Sequence, residues 1–196
     1  MEANTMKTTI KAVLAAGLLV MLGTATANAA LLTFDLSWSG EYFDNDATAI
    51  GSITIDDEIL MNPGFNGLFS GYITSFSITV SGATSGNGTW TESDFSDIFW
   101  YTDTALDLTQ ELVGQPTQMD PWGTAYPGDT GGDFNMFANT IGAPTGTYYF
   151  QITTDSGLGD DLLLTSFRPA DVPEPSSLAL LGLGLVGMGM RRRMKT

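Results

Sequence analysis

The 196-residue chain contains no cysteine and no histidine. Their absence excludes disulfide frameworks, thiolate zinc sites, histidine-based catalytic triads and paired-histidine metal helices. Basic residues are scarce as well: 7 Lys and Arg stand against 22 Asp and Glu, a formal charge of −15. Lys7, Lys11, Arg191, Arg192, Arg193 and Lys195 all lie near the ends, which leaves Arg168 as the single base between them. Nucleic acid is excluded as a partner on this ground, because a polyanion is bound by clustered Lys and Arg. There is no internal repeat of fixed period, no G-x-S-x-G elbow and no P-loop. Long apolar runs occur only at the two ends.

The first of these runs has the three parts of a secretory signal. Lys7 and Lys11 supply positive charge, residues 12–22 are apolar, and Ala27-Asn28-Ala29 is a small-x-small cleavage site. Residues 1–29 are therefore expected to form a signal helix, taken up by the Sec translocon and removed by signal peptidase ahead of Ala30. An 11-residue apolar core is too short to span a hydrocarbon layer of about 30 Å. Glu2 is out of place in a basic leader, and a start at Met6 gives a cleaner signal.

The C-terminal run is ordered differently. Val172-Pro173-Glu174-Pro175 precedes Ser176 and Ser177, then 13 uncharged apolar residues at 178–190, then Arg191-Arg192-Arg193. The prolines enforce an extended segment, and either serine can cap the helix that follows. At 1.5 Å per residue that helix is about 20 Å long, and flanking arginines can snorkel to lengthen its reach. The arginines are the expected cytoplasmic stop, which puts the prolines on the outer face of a transmembrane helix. Gly182, Gly184 and Gly187 fit G-x-G-x-x-G, but only nine residues follow and four are basic. A dinucleotide fold is thus excluded, and the glycines read as small residues of a membrane helix.

Residues 172–196 resemble the PEP-CTERM sorting signal of Gram-negative bacteria, with motif, apolar helix and basic end all present in order. The resemblance implies that a membrane enzyme, an exosortase, recognises this tail and processes it near Pro173-Glu174-Pro175. It also implies an inner-membrane intermediate, then delivery to the cell surface or the extracellular (biofilm) matrix. The tail is shared by proteins of many kinds, so it leaves the role of residues 30–171 open.

Only Glu2 and Glu174 of the 22 acids lie outside 30–171, so that stretch holds 20 acids against Arg168, a formal charge of −19. Leu32, Phe34, Leu36 and Trp38 alternate with Thr33, Asp35, Ser37 and Ser39, and Tyr72 to Ser81 repeat the pattern. That period of two predicts half-buried strands. Shorter strands are expected at 50–55, 98–101, 134–138, 147–153 and 162–167, separated by Gly, Asn and Asp clusters. Residues 104–113 suit a short helix or a strand equally. The expected fold is all-β, an antiparallel sandwich of jelly-roll-like form, occupying 30–171 as one domain.

Residues 114–133 form a long Gly- and Pro-rich loop, of a length often tied to function. Trp122, Tyr126 and Asp129 set aromatic rings beside carboxylates, which suits stacking and hydrogen bonding to sugars. Alternatively, Trp122 folds back as a lid over the core. Asp44 and Asp46, Asp56-Asp57-Glu58, Asp129 with Asp133, and Asp160-Asp161 offer oxygen ligands in turns, without EF-hand spacing. Calcium bound there and a plain solvated acidic surface both fit; no resident metal or other cofactor is expected. No arrangement selects a carboxylate pair for glycoside hydrolysis, so no catalytic residue is assigned and the domain reads as non-enzymatic. A structural or adhesive surface protein is expected, with a polysaccharide-binding module as the alternative.

Overall fold

The alternating segments become strands of two antiparallel sheets in a computed structural model, which describes residues 31–124 and 131–171. In chain order the strands are β1 (Leu31–Ser39), β2 (Thr48–Asp56), β3 (Gly64–Asn66), β4 (Ile73–Ser81), β5 (Gly88–Thr91), β6 (Phe95–Thr102), β7 (Gly132–Ala138), β8 (Thr145–Tyr148), β9 (Gln151–Thr153) and β10 (Asp161–Pro169). Seven of them form a sheet in the order β5-β4-β2-β1-β10-β9-β8, and β3-β6-β7 form the other. The larger sheet curls as a half-barrel.

The core follows from the period of two. Phe34, Leu36 and Trp38 of β1, Ile53 and Ile55 of β2, Phe76, Ile78 and Val80 of β4, and Leu162, Leu164 and Phe167 of β10 are all buried. Ile98, Trp100, Phe134 and Met136 of the smaller sheet belong to the same core. Phe167 is its hub, with the rings of Phe34, Trp100 and Phe134 edge-on at 5.2, 5.3 and 5.0 Å. Such edge-to-face contacts add to the gain from burial itself.

The connectivity differs from the jelly-roll-like expectation. A jelly roll divides eight strands between two sheets through two Greek keys. Here the sheets hold seven and three strands, and β1–β2, β4–β5 and β8–β9 each pair within one sheet. The single strand expected at 147–153 is a hairpin instead. It turns at Tyr149 and Phe150, with Tyr148 opposite Gln151 and Phe150 at φ 56°. Left-handed backbone costs a bulky residue of order 1–3 kcal/mol. Burial of the Phe150 ring and a bond from its N–H to the Asp133 carboxylate (2.9 Å) offset that cost.

Residues 104–113 are neither helix nor strand. They are pinned by bonds to residues distant in sequence: Asn62 holds both backbone groups of Leu106, and the segment's own Glu111 carboxylate accepts from the Phe167 N–H and the Ser166 hydroxyl. No helix among the described residues is long and apolar enough to cross a membrane. The expected signal helix and the C-terminal transmembrane helix lie outside the described residues.

Candidate functional site

The loop expected to face glycans is built differently around its tryptophan. Trp122 is fully buried. Its ring packs on Trp100, Phe150 and Phe167 at 5.2, 5.0 and 5.6 Å, and its Nε1–H donates to the Tyr101 carbonyl at 2.9 Å. Gly132 admits it, since a Cβ there would lie 2.2 Å from Trp122 Cδ1. Trp122 thus closes the core as a lid, and its ring is no surface for stacking. Tyr126 and Asp129 lie outside the described residues.

The acidic turns stitch the chain together. Asp160 accepts from the Thr84 N–H and hydroxyl, Asp56 from the Glu58 N–H, and Asp161 from the Thr153 hydroxyl. The Thr91 N–H holds the Asp94 carboxyl below its ordinary range, and the Thr109 hydroxyl does so for Asp107. No three carboxylates among the described residues come together as a metal ion would require.

One acid stands apart. Asp133 on β7 is nearly buried, and burial pushes its pKa up to about 6 against the opposing hydrogen bonds of Phe150, Phe134 and Asn135. With Asn135, whose Nδ2 donates to the Tyr148 carbonyl (2.8 Å), it joins β7 to the β8–β9 hairpin through side chains. Beside it a shallow groove of about 210 Å³ is lined by Phe99, Phe137, Tyr148, Tyr149, Asp133 and Asn135. Of its lining residues only Asp133 is singled out in the sequence, as an oxygen ligand for calcium beside Asp129. A signal is present in Ile98-Phe99-Trp100-Tyr101: in a strand, half of such a run points away from the core.

The two ends of the described chain leave from one place. β1 and β10 pair antiparallel with Phe34 opposite Pro169, and the Ala170 N–H donates to the Thr33 carbonyl at 2.8 Å. The chain therefore enters at Leu31 and exits at Asp171 from the same end of one strand pair. Residues 171–193 match the family model of the PEP-CTERM protein-sorting motif. The tail carries a sorting signal. No curated protein and no solved structure matches the chain. The PEP-CTERM match covers only this segment, and it implies processing by an exosortase and export to the cell surface through a membrane-associated step. Val172, Pro173, Glu174, Pro175 and the membrane-stop residues Arg191, Arg192 and Arg193 lie outside the described residues. Only Asp171 and Val172 separate Ala170 from Pro173, a chain reach of at most about 11 Å.

Proposed function

We propose that the protein is an exosortase substrate whose acidic β domain, residues 30–171, is non-enzymatic. In this reading it serves a structural or adhesive role at the cell surface or in the extracellular matrix. The observation that carries the reading is the PEP-CTERM match at 171–193, which begins one residue beyond the last bond tying β10 to β1. Signal peptidase would free the chain next to β1 while the tail holds it next to β10. The folded part then hangs from one end, close to the membrane, until the tail is cut. A domain with 20 acids and one base suits a protein that must stay soluble and unaggregated outside the cell. The proposal needs no cofactor.

Replacing Pro173, Glu174 and Pro175 by Ala-Gln-Ala tests the sorting role. A plain membrane anchor requires only hydrophobicity and a basic end, which this variant keeps. Recognition by a processing enzyme requires the extended, proline-locked backbone and the carboxylate. The variant is expected to accumulate uncleaved in the inner membrane, as read by immunoblot of fractionated cells. Wild-type processing of the variant would refute the motif's role.

A further inference from the structure

We propose that the outer face of β3-β6-β7, with the groove at Asn135, binds a neutral, hydroxyl-rich oligosaccharide. Three phenyl rings cross this face from strand to strand. Phe65 and Phe99 are 5.7 Å apart with planes 26° from parallel, and Phe99 and Phe137 are 5.6 Å apart at 18°. At that spacing near-parallel rings are offset, so together they make a strip rather than a closed stack. Phe65 and Phe137 are 56% and 41% exposed, which is an unusual cost for one short sheet unless the face meets an apolar surface.

The groove beside the strip contains an unanswered hydrogen-bond acceptor. Asn135 is 3% exposed, and its Oδ1 has no partner. The orientation of the amide is fixed. Its Nδ2 donates to Asp133 Oδ1 (3.1 Å) and to the Tyr148 carbonyl (2.8 Å), both acceptors, so the oxygen must be the atom turned elsewhere. Gly146 lines the same groove and lies against this oxygen, since a Cβ at that position would be 2.7 Å from Oδ1. A buried carbonyl without a donor is costly, and a ligand that brings a donor recovers the loss.

Charge and shape narrow the ligand class. Asp133 lines the groove, while the single base of the domain, Arg168, pairs opposite Asp35 in the other sheet. A carboxylate or phosphate ligand would meet an acid and no cation. A quaternary ammonium offers Oδ1 no donor, and it prefers ring faces converging on one point rather than a parallel strip. A neutral sugar chain supplies hydroxyl donors on its edge and C–H groups on its face. The open form of the groove suits an extended chain lying across it. The inference deepens the surface-protein reading by naming a ligand class, yet binding by purified protein is independent of whether the tail is processed.

The test uses full-length protein in detergent, with saturation-transfer NMR and calorimetry against cellohexaose, laminarihexaose and a neutral N-acetylglucosamine hexamer. Oligogalacturonate and tetramethylammonium serve as the anionic and cationic comparisons. At least one neutral hexamer is expected to bind. Phe99→Ala and Phe137→Ala should each weaken binding about tenfold, the loss when one apolar ring face stays in water. Gly146→Ala, which sets a methyl group against Asn135 Oδ1, should weaken it similarly, and Ile141→Ala, at an exposed loop position, should leave it unchanged. Phe137 is partly exposed, so an unchanged melting temperature in its variant shows that the fold is intact. The proposal is overturned if no neutral hexamer binds, if binding survives both phenylalanine substitutions, or if either comparison ligand binds more tightly. It is equally overturned if sedimentation shows this face buried between two copies of the chain.

Discussion

Replacing Trp122 by alanine should lower the free energy of unfolding by about 3–5 kcal/mol, the cost of removing a large aromatic from a packed core. The size of the effect follows from its surroundings. The indole touches Trp100, Phe150 and Phe167, and it gives its one donor to the Tyr101 carbonyl. Alanine would leave a cavity at the hub of the core and remove the indole's bond to the Tyr101 carbonyl. A tryptophan displayed on a surface loop for ligand contact would behave otherwise, since exposed substitutions usually stay within about 0.5 kcal/mol. Urea unfolding of the two proteins distinguishes these outcomes. A loss below about 1 kcal/mol would mean that the indole does not close the core.

The second large effect is one of pH, and its sign is opposite to that of most acids. Asp133 has a pKa of about 6 in the folded protein against an ordinary 3.8. Between those values the folded state holds the proton and the unfolded state has lost it. The stability associated with protonated Asp133 is therefore complete below 3.8 and is lost as pH rises through 6. At neutral pH the ionised carboxylate costs the fold up to roughly 3 kcal/mol. Asparagine keeps an oxygen for the Phe150 N–H and the Asn135 amide without the buried charge. Asp133→Asn should thus raise stability by about 1–3 kcal/mol at pH 7 to 8, with the difference fading below about pH 4. Thermal melts across this range provide the check, and a variant less stable than the parent at pH 8 would contradict the assignment of burial as the dominant cause.

What was legible in the sequence divides by the range of the interactions that determine each element. β1, β2, β4 and β10 are visible because a strand with one face in the core must alternate, and Phe34, Leu36 and Trp38 do so without interruption. The hairpin at Tyr149-Phe150 is invisible for the converse reason. Its turn holds no Gly, Asn or Asp; the left-handed Phe150 is held by Asp133 and by rings distant in sequence. Residues 104–113 have no local period because Asn62, Gln115 and Glu111 impose their path. β3 and β5, with three and four residues, are too short to show a period.

The candidate sites divide in the same way. A sorting tail is read by its enzyme as a linear segment, so its chemistry is explicit in residue order, and 171–193 match the motif directly. Trp122 beside Tyr126 and Asp129 looks in sequence like a sugar-binding loop. That likeness ends at Gly132, which opens the space that takes the indole inward. The aromatic strip is assembled from three strands of one sheet. The unpartnered oxygen of Asn135 depends on the position of Tyr148 and Asp133. Neither can be read from a single segment of sequence.

The central claim is that the tail is a processing signal rather than a permanent anchor, and intact-mass measurement of protein recovered from the cell surface tests it most directly. The account predicts a species cut near Pro173-Glu174-Pro175 that lacks the apolar run 178–190 and the arginines that follow; a surface species that still ends at Thr196 would contradict it.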